Sequence, residues 1–205
     1  MEAVSALKKN SIAPAAPKVY TLWEYLAREE RSKDKHEFYD GKIVKMANAK
    51  YNHNLIAMNT AVALRNTLNL LEKKYIVLGE GQKIYVELEN VAVYPDALVI
   101  FEKPIFYQDR TDILLNPLVV IEVLSRSTGL YDRTAKFDLY QTIPSFKEYV
   151  LIDHKKISIE TRHRETNDLW RITKYNSDNQ KIKLKSLEVE LTMNDIYENV
   201  SFEKL

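Results

Sequence analysis

Two acidic residues stand out in this sequence because each interrupts a run of apolar side chains. Glu122 is the one charged residue within positions 118–124, and Asp96 follows Pro95 at the start of a second apolar run. A continuous apolar run bounded by turn residues is typical of a strand buried on both faces. An unpaired carboxylate there would cost on the order of several kcal/mol, so we expect Glu122 to be neutralised, paired or bound to a metal ion.

If the two strands are neighbours, both carboxylates can reach one point. Such a site suits Mg²⁺, which prefers oxygen ligands and usually takes one or two carboxylates together with waters and a substrate phosphate. The ion would polarise a phosphoryl oxygen and lower the pKa of an attacking water. Lys136 is the candidate cation beside it, because the helix that follows the Glu122 strand must fold back across the sheet, and an ammonium would stabilise the developing charge or position the water.

These residues also have structural explanations. A lone acidic residue in a strand can lie at a sheet edge or pair with an arginine such as Arg126 or Arg133. His53, at the start of a predicted helix, is typical of a surface or capping residue. Tyr140 shares a helix face with Lys136 because the two are four residues apart, and by default it is a core aromatic.

The elements that would position these residues alternate between helices and strands. Thr21 can cap a short helix, Asp40 and Gly41 mark a turn into a strand, and apolar residues recur at helical spacing over positions 54–72. Strands are predicted at 75–78 and 83–88, within 91–101 where Pro95 opens a buried strand, and at 118–124 and 146–153. A hairpin is predicted within 157–175, and short strands within 181–191 precede a last helix capped by Thr192.

Two further segments give specific expectations. Residues 102–116 are polar and read as a surface loop, and residues 131–141 read as one helix that Pro144 ends. Within and after that helix, Ala135, Leu139 and Ile143 form an apolar stripe that should pack on the sheet.

Composition limits the possibilities. The 205 residues fit one domain, which we expect at 19–205 after a flexible tail at 1–18. Thirty basic and 29 acidic residues give a net charge of +1, so no global attraction to nucleic acid or anionic membrane is expected. The absence of cysteine excludes disulfides and thiolate metal sites. No apolar run is long enough to span a membrane and none resembles a secretory signal, so a cytoplasmic protein is expected.

Several segments together resemble a known family: Tyr94-Pro95-Asp96, the run from Glu122 to Thr128, the spacing of Asp132, Lys136 and Tyr140, and the run from Glu148 to Asp153. The combined pattern is similar to the Uma2 family, formerly domain of unknown function 820, which is abundant in cyanobacteria. That family is placed in the PD-(D/E)XK nuclease superfamily. The resemblance covers about residues 20–197 and implies an α/β fold of the restriction endonuclease type, with a mixed central sheet flanked by helices and an additional C-terminal hairpin.

By position, the resemblance implies that Asp96 and Glu122 are metal ligands. Leu124 stands where the motif lysine would be, so either Lys136 supplies that lysine from the helix or catalysis has been lost. Glu37 resembles the acidic residue that the N-terminal part of the superfamily core contributes, and Glu80 is a further possible metal ligand.

The function implied by the resemblance is a Mg²⁺- or Mn²⁺-dependent endonuclease acting on DNA, and cutting both strands with one site per chain would require a homodimer. The alternative is a catalytically silent module that binds nucleic acid or a protein. Basic residues around the Asp96 and Glu122 cleft would favour phosphate binding, whereas an exposed apolar patch would favour a protein partner.

Overall fold

The computed structural model describes residues 18–126 and 128–202, and most of the expected tail at 1–18 lies outside them. Five α-helices and fourteen strands are assigned in the described chain: α1 (Leu22–Glu29), β1 (His36–Tyr39), β2 (Lys42–Lys45), α2 (Tyr51–Leu68), β3 (Tyr75–Gly79), β4 (Lys83–Val86), β5 (Val91–Val93), β6 (Ala97–Phe101), β7 (Phe106–Tyr107), β8 (Arg110–Leu114), β9 (Val119–Leu124), α3 (Gly129–Arg133), α4 (Ala135–Gln141), β10 (Glu148–Asp153), β11 (Ile159–Arg164), β12 (Trp170–Tyr175), β13 (Lys181–Leu184), β14 (Val189–Thr192) and α5 (Met193–Tyr197).

The strands form two large sheets and one small one. The central sheet has the order β12-β11-β10-β9-β6-β3, with β9 and β10 parallel and the other neighbours antiparallel. The N-terminal sheet has the order β2-β1-β5-β4-β8-β7, and β13 pairs with β14 as a separate hairpin. The α/β fold with its C-terminal hairpin is confirmed, and the second six-stranded sheet is an addition to the expected architecture.

Alternation of side chains along the strands divides the core into layers. On one face of the central sheet, Val119, Ile121 and Val123 pack with α2, α5 and the β13-β14 hairpin. On the other face, Val120 and Leu124 pack with α4 and the N-terminal sheet. Helix α1 covers the far side of the N-terminal sheet. Glu122 lies between Ile121 and Val123 in β9, so its side chain points to the face opposite theirs, into the layer that contains α4.

Local signals explain several boundaries. Thr21 and Glu24 form the capping box that begins α1, and Thr192 and Asp195 form the one that begins α5. Asp40 and Gly41 both have positive φ, of 40° and 89°, as the tight turn between β1 and β2 requires.

The expected loop at 102–116 is wrong. It contains β7 and β8, and β8 pairs in parallel with β4. Ile113 and Leu114 in β8 are completely buried. The loop prediction followed the polar residues Asp109, Arg110 and Asp112, although the last two of these form an ion pair with each other.

The expected helix at 131–141 is two helices, α3 and α4, separated at Thr134, whose φ of −123° and ψ of −97° are not helical. The predicted packing stripe is also wrong in part: Ile143 is buried, but Ala135 is exposed and Leu139 is only partly covered. The side chains of Asp132, Lys136 and Tyr140 are the ones that point into the core.

Helix α2 confirms the helix expected over 54–72 and is the longest among the described residues, but it begins and ends earlier than expected. Its buried residues include Ile56, Leu64 and Leu68, whereas Met58 and Val62 are 64% and 47% exposed. The apolar residues of this helix surround it, so spacing alone does not tell which side faces the sheet.

Candidate active site

Asp96 and Glu122 lie at the same end of two neighbouring inner strands of the central sheet. Strands β6 and β9 are antiparallel neighbours in which Ala97 pairs with Ile121, so Asp96, one residue earlier, lies beside Glu122. This pairing places the two residues opposite each other, close enough for the charge of Asp96 to raise the pKa of Glu122.

Glu122 is paired with a lysine from a helix. Its Oε1 atom lies 2.9 Å from Nζ of Lys136 and accepts a hydrogen bond of 3.0 Å from the hydroxyl of Tyr140. Leu124, at the position of the motif lysine, is an apolar core residue instead. The cation thus reaches Glu122 from α4, while the alternative partners Arg126 and Arg133 do not contact it; Arg133 pairs with Glu160 at 2.9 Å.

Lys136 lies within a ring of oxygen atoms. Besides Glu122, its Nζ is 3.5 Å from Oε1 of Glu37, 3.9 Å from Oδ1 of Asp132 and 3.4 Å from the carbonyl oxygen of Tyr94. Burial lowers the pKa of Lys136, but the surrounding carboxylates outweigh it and raise that pKa well above its ordinary value. Lys136 is therefore an ammonium at neutral pH, suited to stabilising negative charge and unsuited to accepting a proton.

The carboxylates around this single ammonium are in excess. Burial raises the pKa of Glu122, Lys136 lowers it, and the charges of Asp132 and Asp96 raise it further, with a net shift well upward. Burial likewise raises the pKa of Asp132, and Lys136 offsets only part of that shift. Both upward shifts favour the protonated carboxyl, so the site holds more carboxyl groups than its one lysine can keep ionised, and a further cation would favour their charged forms.

Asp96 is held from the opposite layer. Its Oδ2 accepts a 2.6 Å hydrogen bond from the backbone N–H of Val123 and lies 3.4 Å from Nε2 of His53, in the first turn of α2. Burial lowers the pKa of His53, but its contact with Asp96 outweighs burial and raises it. His53 thus contacts a candidate site residue and is more than the surface or capping residue that its position suggested.

Glu37 and Glu80 have different surroundings. Oε1 of Glu37 accepts from the backbone N–H of Tyr94 at 3.2 Å, and Oε2 accepts from the hydroxyl of Tyr39, which fixes the carboxylate beside Lys136. Glu80 follows β3 at the same end of the sheet, since Gly79 pairs with Ala97. Its side chain is 58% exposed and pairs with Lys35. The structure brings Glu37 to Lys136 and directs Glu80 to the surface.

Sequence reasoning assigns no function to Asp132 and predicts a core aromatic at Tyr140, yet Asp132 lies 3.9 Å from Lys136 and Tyr140 donates a hydrogen bond to Glu122. The available signal is the spacing of Asp132, Lys136 and Tyr140, because three polar side chains on one helix face form a polar cluster when that face is buried.

The donor set fits a small divalent cation of the kind that takes few protein ligands. Asp96 and Glu122 offer carboxylate oxygens, the donors that Mg²⁺ and Mn²⁺ prefer, and one or two carboxylates suffice when waters and a phosphate complete the shell. Among residues 18–126 and 128–202, no three His, Cys, Asp or Glu side chains are grouped closely enough to hold a metal by themselves.

An acidic pair at one end of a sheet, with a buried lysine beside it, in a mixed α/β fold defines a protein of the restriction endonuclease-like class. Residues 22–194 match the Uma2 family, whose description is "Putative restriction endonuclease". The chain belongs to the Uma2 family.

Relatives and a solved structure agree with this assignment. Two uncharacterized proteins of Synechocystis sp., sll1609 and slr1290, are each 31% identical to this chain, over 85% and 87% of it and 98% and 92% of their own lengths. The crystal structure of a "putative nuclease belonging to DUF820" from Anabaena variabilis superposes with a TM-score of 0.69 at 14% identity, covering 87% of this chain and 97% of that one. At that identity, the superposition supports the fold alone.

Within the described residues, no helix combines the length and the apolar character that crossing a membrane requires.

Proposed function

We propose that this protein is a metal-dependent endonuclease that hydrolyses phosphodiester bonds in DNA. The observation that carries the proposal is the contact between Nζ of Lys136 and Oε1 of Glu122. It supplies an ammonium where the family motif would have its lysine, although the sequence has Leu124 there. Membership of a family described as a restriction endonuclease and the fold shared with a nuclease support the same reaction class.

Each residue has a role in this proposal. Asp96 and Glu122 would hold Mg²⁺ or Mn²⁺, with Glu80 as a further ligand if its side chain turns inward from Lys35. When bound, the ion would supply a Lewis acid at the phosphoryl oxygen and lower the pKa of a water. Lys136 remains protonated and stabilises the negative charge that develops on the phosphate oxygens.

The surrounding residues keep this arrangement rigid. Oε1 of Glu37 lies 3.5 Å from the Lys136 ammonium, and Tyr140 donates to the same oxygen of Glu122 that Lys136 contacts. His53 and the N–H of Val123 fix the carboxylate of Asp96. Because Lys136 and Glu122 are buried, their charges act in a medium of low dielectric, where each is worth more than in water.

A second candidate is a silent module with the nuclease fold that binds nucleic acid or a protein. The observation that favours it is the neutralisation of Glu122 by Lys136, since a buried ion pair of this kind is also a structural solution for a buried carboxylate. The two candidates differ in whether the carboxylates bind metal.

The test combines calorimetric titration with Mg²⁺ and Mn²⁺ and nicking of supercoiled plasmid DNA. Wild type is expected to bind metal and to nick DNA, and to lose nicking in EDTA. Asp96→Asn and Glu122→Gln should lose both properties, Lys136→Met should lose nicking while it keeps metal binding, and the exposed control Glu87→Gln should behave as wild type.

Failure of wild type to bind metal would favour the silent module. Metal binding without nicking by wild type would contradict the endonuclease.

We also propose that the active form is a homodimer, because one site per chain cuts one strand. Linear plasmid formed together with the nicked circle, and a dimer mass by light scattering, are the expected results.

A further inference from the structure

A groove lies at the end of the central sheet where Asp96 and Glu122 are, beyond the carboxyl ends of β9 and β10. It encloses about 280 Å³ and is lined by residues that follow the carboxyl ends of β9 and β10, together with the start of α3. Arg126, Arg133, His154 and Lys155 all line it, with Asp153 as the one acidic residue. In a chain with a net charge of +1, this is a local concentration of positive charge.

Two of these cations are available to a ligand. Arg126 and Lys155 are exposed, and neither makes an ion pair within the described part of the chain. Arg133, in contrast, is engaged by Glu160. The carboxylate of Asp153 accepts a hydrogen bond of 2.8 Å from the backbone N–H of Lys155, so it is used within its own turn. The two unpaired cations outnumber the single carboxylate of the lining, so the groove keeps a net positive charge.

The distance from the acidic pair suits a polynucleotide. Strands β6, β9 and β10 are consecutive in the sheet, and neighbouring strands are about 4.8 Å apart. The ends of β9 and β10 are thus about 5–10 Å across the sheet from Asp96, and the lining begins at Leu124, two residues or about 7 Å beyond Glu122 along β9. Phosphates on one nucleic-acid strand follow one another at about 3.4 Å along the helix axis, so the combined separation of about 8–12 Å corresponds to about two to four nucleotides.

We propose that this groove binds a backbone phosphate of the same nucleic-acid strand whose scissile bond is presented to Asp96 and Glu122, with Arg126 and Lys155 as the contacting cations. This assignment rests on the proposed function, since it takes nucleic acid as the ligand. The acidic pair would repel a polyanion by itself, and a cationic groove a few nucleotides away offsets that repulsion and sets the position of the strand.

The test measures the binding of a fluorescein-labelled 20-base-pair DNA duplex by fluorescence anisotropy in EDTA, where no hydrolysis consumes the probe, at several salt concentrations. The variant is Arg126→Gln/Lys155→Gln. A matched control, Arg65→Gln/Lys103→Gln, removes an exposed arginine near the end of α2 and an exposed lysine just past the opposite end of β6. A charge-conserving variant, Arg126→Lys/Lys155→Arg, tests whether charge is what matters. Thermal melting checks that each variant folds.

The groove variant is expected to bind about tenfold more weakly, and its slope of log Kd against log salt should fall by about one unit, because the loss of one phosphate contact removes about 0.9. The control and the charge-conserving variant should stay within about twofold of wild type. Wild-type affinity and slope in the groove variant, or no DNA binding by wild type, would overturn the assignment.

The experiments distinguish a wrong groove proposal from a wrong endonuclease proposal. Groove-dependent binding by a wild type that never nicks DNA would support the groove and contradict the endonuclease. Nicking by wild type with unchanged binding in the groove variant would support the endonuclease and contradict the groove.

Discussion

Glu122 and Glu148 are two buried glutamates on neighbouring parallel strands, and their carboxyl groups have different kinds of partner. In that pairing Glu148 lies opposite Val119, and Glu122 lies opposite Leu151. Glu148 is completely buried, and Glu122 is 4% exposed. Glu148 accepts hydrogen bonds from the backbone N–H groups of Lys185 and Ser186, at 3.1 and 2.9 Å, and from the hydroxyl of Ser186 at 2.7 Å.

The groups that contact each glutamate indicate whether it is structural or part of a site. Glu148 accepts hydrogen bonds from neutral donors of the turn that joins β13 and β14, so its carboxyl group attaches that hairpin to the central sheet. Glu122 shares one ammonium with Glu37 and Asp132 and lies beside Asp96. A cluster with more carboxylates than cations is costly to fold, and it becomes favourable when another cation or a phosphate-bound metal joins it. Glu148 is therefore structural, and Glu122 belongs to a site.

The largest expected contrast is in activity. Glu122→Gln should lower the nicking rate by about a thousandfold, because it removes a metal ligand and the partner of Lys136. Glu148→Gln should nick at nearly the wild-type rate per folded molecule, while it lowers the free energy of unfolding by about 1–3 kcal/mol because the amide NH₂ opposes the N–H donors. Plasmid assays and urea denaturation measure the two effects. Equal loss of activity in both variants would remove the distinction.

The next contrast concerns the cation. Lys136→Met leaves the buried carboxyl groups of Glu122 and Asp132, and the partly buried one of Glu37, without their ammonium and should cost about 3–5 kcal/mol of unfolding free energy at pH 7. The double variant Lys136→Met/Glu122→Gln removes one of those charges and should recover a large part of the loss. Urea denaturation of the single and double variants gives the coupling. Additive losses would mean that Lys136 and Glu122 do not interact as their 2.9 Å contact indicates.

The smallest effect is the pH dependence of Glu148. Burial raises the pKa of Glu148 above its ordinary value of 4.5, although Ser186 and Lys185 offset part of the shift. The folded chain then holds a proton that the unfolded chain has released, so the contribution is present below about pH 4.5 and is lost as the pH rises through the folded pKa. The unfolding free energy of wild type minus that of Glu148→Gln should therefore fall between pH 4.5 and 7. A rise over that interval would contradict the upward shift.

Much of the architecture followed from local patterns. The helix caps at Thr21 and Thr192, the turn at Asp40 and Gly41, and the buried strand around Glu122 depend on neighbours in the sequence, and the structure confirms each. The strand β8 was missed because its alternation is short and its polar residues pair with one another. Its burial depends on β4, which lies more than twenty residues earlier.

The candidate site also has features that the sequence predicts and features that depend on tertiary packing. The isolation of Asp96 and Glu122 among apolar residues is a property of the sequence, as is the spacing of Asp132, Lys136 and Tyr140. Whether that helix face turns inward depends on the sheet against which it packs, and here it is the polar face that is buried.

The sequence by itself determined which residues could do chemistry and which strands would carry them, because residue type and the two-residue period of a strand are local properties. The tertiary structure alone decided that Lys136 reaches Glu122, that Glu37 joins it from β1, that Glu80 faces solvent, and that Arg126 and Lys155 share a groove at the same end of the central sheet. These contacts join residues from separate elements, and they depend on how the sheets and helices pack, which no local pattern specifies.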